Sequence, residues 1–371
     1  MRVDLMIRAC GCMVVLLFLA PVSSALAKKS LGSPAAFGPS AFGSAGVFPQ
    51  RTTQTIERVG TREIGGRMII MYHVALGAFA ATADADGNFW YSATRRMVRL
   101  NAKTLKATYY SIPSHQRPFF REPLGVAYDP VDKKTWFATL GRTFGSIDSV
   151  GRIVTYRGQG DSAAYGMTVG PDHRLWFTHG GAQTGFLEAV TVGGAKSLYP
   201  LPLYPLAVTT GSDGNLWTYG GSNLYIAKVT ALGSVTDYPL DPQFDGGVGS
   251  AIASGSDGRI WFVQTSPGSA TAIARIDTDG SHLRAFFLPP SHQGYAGDLV
   301  SAPDGNLYFT VNLAGSPRVM GIGEITTAGK ITLYTVPGIG SLNAIAAASD
   351  GRSVWAFPNA ADGGTAISLS L

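Results

Sequence analysis

The stretch Asp257-Gly-Arg-Ile-Trp261 is one of seven related copies of the same short motif, and the spacing of those copies decides the fold. All six tryptophans of the 371-residue chain lie in these copies. The copies are Asp86-Gly-Asn-Phe-Trp90, Asp132-Lys-Lys-Thr-Trp136, Asp172-His-Arg-Leu-Trp176, Asp213-Gly-Asn-Leu-Trp217, Asp257-Gly-Arg-Ile-Trp261, Asp304-Gly-Asn-Leu-Tyr308 and Asp350-Gly-Arg-Ser-Val-Trp355. Their closing aromatic residues are 46, 40, 41, 44, 47 and 47 residues apart.

A period of this length, with a tight turn followed by an apolar strand in each cycle, is typical of β-propeller blades. Each cycle carries a small-apolar inner strand, the motif strand, a third strand, a second Gly turn and an outer strand. The sequence therefore predicts an all-β fold, a seven-bladed propeller of four-stranded antiparallel blades. The tryptophans are predicted to pack between blades, because large rings bury much apolar area there.

The two ends of the repeat region are incomplete, which predicts how the ring closes. The last cycle stops at Leu371 after a third strand. The residues ahead of the first inner strand, predicted at 76–82, include the strand-like stretches 55–59 and 62–64. We expect this N-terminal segment to supply the outer strand of the seventh blade and so remove exposed edges.

Composition divides the chain into three parts. Residues 1–27 have a basic start, an apolar run and Ala25-Leu-Ala27, which predicts a cleaved secretory signal and export to the periplasm or beyond. Residues 28–54 are rich in Gly, Ser, Pro and Ala, which predicts a flexible linker, and residues 55–371 form the propeller. Both cysteines, Cys10 and Cys12, fall in the signal, so the mature chain is predicted to contain no disulfide and no thiolate site.

The formal charge of +5 is spread along the chain, without a run of Lys and Arg interleaved with aromatic residues. This pattern argues against a nucleic-acid groove. We expect a monomer that has no stable membrane span after signal cleavage, and whose partner is a small molecule or peptide at the central channel.

The repeated cycle resembles the virginiamycin B (streptogramin B) lyase family. The resemblance covers roughly residues 60–371 and is carried by Gly170-Pro-Asp-His-Arg-Leu-Trp-Phe-Thr178, by residues 226–239 and by residues 323–337. It implies a metal-assisted lyase, usually with magnesium, in which an acidic residue follows Trp-Phe-Thr and a His lies two residues beyond it. That His would act as the base that opens a depsipeptide ester by elimination.

This chain departs from that pattern, because no Glu-x-His follows any of the seven motif strands. The corresponding positions hold Ala93, Thr139 or Leu140, His179, Tyr219, Gln264, Val311 and Phe357. His179 is the only His at the family's functional loop position, so it is the candidate catalytic base. Asp298, in an otherwise small and apolar inner strand, is the candidate metal ligand.

Further candidates are predicted on the face of the propeller where blades connect, which we call the top face. The binding candidates are His73, His115, Arg117, Tyr165, Gln264, His292, Asp298 and Asn312. Structural readings stay open beside them: His73 fits a packing residue, His115 and His292 fit solvated loops, and Asp298 fits a contact with the backbone. Glu324, in a third strand, is predicted to be a solvated charge.

Two functions follow from these residues. The first is an exported binding propeller that lacks the family's catalytic pair. The second is a magnesium-assisted C–O lyase acting on a cyclic depsipeptide or lactone through top-face His and Asp residues. They differ in whether His73, His115, His179, His292 and Asp298 meet in one central pocket.

Overall fold

The computed structural model describes residues 47–113, 123–139, 143–157, 164–180, 185–191, 194–202, 204–221, 225–241, 251–265, 271–289, 294–313, 319–359 and 363–371. These residues form thirty strands in seven antiparallel sheets, which confirms the predicted seven-bladed propeller. Among them there is no helix long and apolar enough to cross a membrane. The predicted signal and most of the predicted linker lie outside the described residues.

Blades are numbered in chain order, and the strands of each run from the channel outward. Blade 1 has β4 (Ala81–Ala83), β5 (Asn88–Ala93), β6 (Arg96–Asn101) and β7 (Lys106–Ser111). Blade 2 has β8 (Pro123–Asp129), β9 (Lys134–Thr139), β10 (Thr143–Asp148) and β11 (Ile153–Arg157). Blade 3 has β12 (Ala164–Val169), β13 (Leu175–Gly180), β14 (Gly185–Val190) and β15 (Lys196–Leu201). Blade 4 has β16 (Tyr204–Thr210), β17 (Leu216–Gly221), β18 (Tyr225–Val229) and β19 (Val235–Pro239).

The remaining blades follow the same order. Blade 5 has β20 (Ile252–Ser254), β21 (Ile260–Thr265), β22 (Thr271–Ile276) and β23 (Arg284–Phe287). Blade 6 has β24 (Gly294–Ser301), β25 (Leu307–Leu313), β26 (Val319–Ile325) and β27 (Ile331–Pro337). Blade 7 has β28 (Leu342–Ala347), β29 (Ser353–Pro358), β30 (Gly364–Ser370) and, from the N-terminal segment, β3 (Arg67–Val74).

The ring is closed by an N-terminal strand, as expected, but the closing strand is β3 rather than either of the stretches named from the sequence. Those stretches lie in two further strands, β1 (Arg51–Thr55) and β2 (Glu57–Ile64). β1 adds a fifth strand to blade 1 by pairing with β7, and β2 adds a fifth strand to blade 7 by pairing with β3. The last four residues of the predicted linker, 51–54, therefore belong to a strand.

The Asp of the recurring motif is a structural residue. In three blades its carboxylate accepts a hydrogen bond from the indole Nε1 of the Trp four residues later, at 3.1 Å for Asp172, 3.2 Å for Asp213 and 3.0 Å for Asp257. Asp304 accepts from the Tyr308 hydroxyl in the same way, at 2.7 Å. The turn carboxylate is therefore the hydrogen-bond acceptor for a buried indole N–H, which would otherwise have none.

The core lies between blades. In blades 1, 3, 4 and 5 the motif Trp stacks on an aromatic residue of the outer strand of its own blade. These pairs are Trp90–Tyr110, Trp176–Tyr199, Trp217–Tyr238 and Trp261–Phe286. The glycine of the next blade's outer turn packs on that outer ring, at Gly151, Gly233, Gly280 and Gly329. Each has a φ near +90°, and a Cβ there would overlap the ring, so both conformation and space require Gly.

Arg67, the first residue of β3, contacts both its own blade and blade 6 where the ring closes. Its Nη1 donates to the Ser370 carbonyl at 3.1 Å, and its Nη2 lies 3.3 Å from Glu324 Oε1 in blade 6. Glu324 is 7% exposed and also accepts from the Tyr334 hydroxyl at 2.8 Å. The sequence prediction of a solvated charge at Glu324 was therefore wrong, because this carboxylate joins blades 6 and 7.

Candidate functional site

The top face is the end of the ring at which first strands begin and second strands end. The register puts Tyr165 and His179 there, because Ala164 at the start of β12 pairs with His179 near the end of β13. Gln264 and Asn312 come from the ends of β21 and β25 in the same way. The four side chains belong to blades 3, 5 and 6, so the fold spreads them around the rim.

His179 is buried between blades 2 and 3 and contacts a carboxylate. Its Nε2 lies 3.0 Å from Glu188 Oε2, and the two side chains are 1% and 0% exposed. Phe177 pairs with Glu188, and His179 pairs with Phe186, so all four side chains share one face of the sheet. The imidazole stacks on Phe186 with a centroid distance of 4.8 Å and lies 5.1 Å from Phe177.

This arrangement orients the imidazole but leaves it no solvent-facing atom. A base must reach the proton that it abstracts, and a side chain 1% exposed does not reach a ligand in the channel. The contact with Glu188 instead links β13 to β14 inside the interface with blade 2. Sequence reasoning missed Glu188; its signal is a lone charge in the apolar third strand Gly185-Phe-Leu-Glu-Ala-Val190.

Asp298 lies inside β24 and binds backbone on both oxygens. Oδ1 accepts from the N–H of Leu299 at 2.9 Å, and Oδ2 accepts from the N–H of Ile345 in blade 7 at 3.0 Å. Burial raises the pKa of Asp298 to about 6, although both backbone hydrogen bonds act in the opposite direction. The carboxyl group therefore joins two inner strands, which matches the open structural reading.

Asn312 also joins blades 6 and 7. Its Nδ2 donates to the Leu342 carbonyl at 3.0 Å, and its Oδ1 accepts from the Leu342 N–H at 3.0 Å. Asn343 continues the series by donating from Nδ2 to the Ala78 carbonyl of blade 1 at 2.9 Å. These amides fix neighbouring inner strands, and their polar atoms are occupied by backbone.

Tyr165 and Tyr204 form a partly exposed pair where the inner strands of blades 3 and 4 begin. The Tyr204 hydroxyl donates to the Tyr165 hydroxyl at 3.1 Å, and the ring centroids are 6.0 Å apart. Burial, followed by the Tyr165 contact, raises the pKa of Tyr204, so the phenol stays neutral near pH 7. A Cβ at Gly180 would overlap the Tyr204 ring, so the glycine allows this position.

Gln264 is 1% exposed, and its Nε2 has no hydrogen-bond partner within the described parts of the chain. It stands on the face of β21 that packs on blade 4, with Phe262. Phe262 contacts Tyr219 of that blade at a centroid distance of 5.0 Å. Burial raises the pKa of Tyr219. Gln264 is thus a buried interface residue in this structure.

His73 lies in β3, the fourth strand of blade 7, and is exposed on the outside of the ring. It pairs with Thr365 of β30 and Glu57 of β2. His115, Arg117 and His292 lie outside the described residues. Of the five residues that could have met in one pocket, the three described ones, His73, His179 and Asp298, belong to blades 7, 3 and 6 and do not meet.

The described side chains do not fit a magnesium site. Within the ranges given above, no three His, Cys, Asp or Glu side chains come close enough together to hold a metal ion. A divalent cation needs several oxygen or nitrogen ligands at once. Asp298, the sequence candidate, already accepts a backbone hydrogen bond on each oxygen.

Comparison with known proteins shows the family and the fold. The model of the virginiamycin B lyase family matches residues 158–363, more than half of the chain. A solved streptogramin B lyase is 23% identical, with a TM-score of 0.68 over 81% of this chain and 98% of that one. A virginiamycin B lyase from Staphylococcus aureus is 25% identical, with a TM-score of 0.67 over 82% and 99%.

A catalytically inactive variant of the Staphylococcus aureus enzyme, solved with quinupristin, is also 25% identical, with a TM-score of 0.67 over 87% of this chain and 100% of that one. No curated protein matches this chain in sequence.

Proposed function

The chain belongs to the virginiamycin B lyase family, and we propose that it is a ligand-binding member that does not open its ligand by the family's acid and histidine. One observation carries this proposal. The His at the family's functional position, His179, is 1% exposed and lies 3.0 Å from Glu188 inside a blade interface. No acidic residue follows Trp-Phe-Thr in any blade, so the pair that would polarise and deprotonate an ester is missing.

The ligand class follows from the top face and from the relatives. A structure 25% identical to this chain contains quinupristin, which makes a cyclic depsipeptide the first ligand to test. Tyr165 and Tyr204 offer two partly exposed rings and a hydroxyl pair at the rim. Rings with a polar tip suit a ligand that presents both apolar surface and carbonyl groups.

The test uses quinupristin as the probe and separates binding from ring opening. Binding is measured by isothermal titration calorimetry with the mature protein, with and without magnesium. Ring opening is followed by chromatography with fragment mass spectrometry, because elimination leaves the mass unchanged whereas hydrolysis adds one water. Saturable binding with an intact ring supports the proposal, and enzyme-dependent ring opening or a lack of binding contradicts it.

Two tyrosine variants locate the ligand. Tyr204→Phe removes the hydroxyl that polarises Tyr165 and should weaken binding by about 5–10-fold, the worth of one hydrogen bond. Tyr238→Phe is the matched control, because Tyr238 stacks on Trp217 in the core between blades 4 and 5, away from the channel. Equal affinities of both variants would place the ligand elsewhere.

The second candidate function is a lyase that uses His179 as its base. The contact between the imidazole and Glu188 favours it, because a carboxylate that orients a histidine is a common catalytic arrangement. It requires movement that uncovers the imidazole. Under this function His179→Ala would abolish ring opening and leave the fold stable.

We also propose that the protein is exported, from the basic start, apolar run and Ala25-Leu-Ala27 of residues 1–27. Mass spectrometry of extracellular or periplasmic material should find a mature N-terminus at Lys28. Recovery of soluble protein that retains Met1 would contradict export.

A further inference from the structure

The fifth strand of blade 7, β2, is an exposed edge strand. Its eight residues, Glu57–Ile64, include no buried side chain, and Val59 is 56% exposed. One edge pairs with β3, and no other strand of the described chain pairs with the opposite edge. A free edge of this length is a template on which another strand can pair.

A bulge places two side chains of opposite charge on the same face of this strand. Arg58 pairs with Tyr72 and Glu63 pairs with Met68, with one extra residue of β2 inserted between Arg58 and Gly60. Tyr72 and Met68 are four residues apart on a strand that pairs regularly with β30, so they share a face. Arg58 and Glu63 consequently stand on one face of the sheet, although their numbers differ by five.

We propose that β2 forms a homodimer interface. In this dimer, β2 of one copy pairs antiparallel with β2 of a second copy about a two-fold axis. In such an isologous pairing, a contact from one residue to another is made twice. The register that sets Arg58 opposite Glu63 of the second copy therefore also sets Glu63 opposite Arg58. Both directly opposed pairs then have opposite charge, which stabilises an antiparallel pair.

The occupant is a second copy rather than an unrelated peptide because the strand is complementary to itself. Arg58 and Glu63 lie at symmetric distances from the midpoint between Gly60 and Thr61 and have opposite charge, so each meets the other across the two-fold axis. This proposal differs from the monomer expected from the sequence. The interface is one short strand pair, so we expect weak association, with a dissociation constant on the order of 10–100 µM.

The first experiment is sedimentation velocity on the mature protein from roughly 1 to 300 µM, a range that brackets that constant. The wild type should shift from monomer to dimer within this range. Arg58→Glu should weaken the dimer by at least about tenfold, because it sets two acidic pairs opposite each other. Arg62→Glu makes the same charge change two residues from the bulge, without an acidic residue opposite, and should change dimerisation by less than about threefold.

The second experiment exchanges the charges. Arg58→Glu and Glu63→Arg proteins should each sediment as monomers, and an equal mixture of the two should form a heterodimer. The double variant Arg58→Glu with Glu63→Arg should regain the wild-type dimer. Circular dichroism and melting curves check that each variant keeps the fold, which is expected because both side chains are exposed.

Several results would overturn the proposal. A wild type that stays monomeric across the range would do so, as would an Arg58→Glu protein that dimerises as well as Arg62→Glu. A mixture of the single variants without heterodimer would also overturn it. None of these results depends on whether the top face binds a ligand.

Discussion

Replacing His179 with Ala tests whether the buried pair in blade 3 holds the fold together. The imidazole is 1% exposed, contacts a Glu188 carboxylate that is 0% exposed, and stacks on Phe186. Removing it takes away a partner of a fully buried acid and leaves a ring-sized space between aromatic side chains. Breaking a buried pair by removing one partner destabilises by about 3–5 kcal/mol. We expect a loss of free energy of unfolding in that range.

The assay is equilibrium urea unfolding followed by tryptophan fluorescence. A double-mutant cycle adds Glu188→Leu and His179→Phe with Glu188→Leu. Apolar replacement of both partners should recover most of the loss, because no buried polar group of the pair is then left without the other. The two substitutions should couple by about 1.5 kcal/mol or more. His73→Ala is the control: its side chain is exposed on the regular strand β3, so its effect should stay within about 0.5 kcal/mol.

A His179→Ala protein within about 0.5 kcal/mol of wild type would refute this reasoning. If that stable variant had also lost a ring-opening activity present in the wild type, His179 would be a catalytic base after all. An unstable variant whose stability returns in the apolar pair supports the structural role.

Two further predictions concern contacts between blades. Arg67→Ala should lower the free energy of unfolding by about 2–4 kcal/mol, because it leaves the buried Glu324 without its cation where the ring closes; calorimetry measures this against Arg62→Ala on the exposed β2, and equal melting temperatures would contradict it. For Asp298, a folded-state pKa raised to about 6 from a usual value of 3.8 means that the folded state disfavours the ionised form. The contribution of Asp298 to the free energy of unfolding is then full below pH 4. About 3 kcal/mol of stability is lost as the pH rises through 6. Melting curves from pH 4 to 8 should show this decline in the wild type and not in Asp298→Asn; parallel curves would show that the carboxyl group is not its source.

The contacts of the recurring motif explain why so much of the fold was readable from the sequence. The Asp carboxylate, the indole N–H and the turn glycine interact within a few residues, so each blade repeats the same local pattern. Repeated units of this kind have few possible arrangements other than a closed ring, because each blade buries its faces only against its neighbours. The number of blades therefore follows from local contacts and their count, and closure by an N-terminal strand follows from the incomplete last cycle.

The site depends on contacts across blades, which no local pattern encodes. The sequence analysis placed His179 in a loop of the top face, whereas it lies inside β13, and its burial follows from Glu188 on the next strand and from the neighbouring blade. Asn312 and Asp298 bind the backbone of blade 7, at residues that are 30 and 47 positions away along the chain. Glu324 meets Arg67 across 257 residues.

The amino-acid sequence by itself determined the fold class, the seven blades and the family, because turns, strand alternation and aromatic spacing act over short distances. Only the tertiary structure decided which polar side chains face solvent and which are used to join blades. That choice depends on the register of each sheet and on how closely adjacent blades pack, and both are set by the whole ring at once.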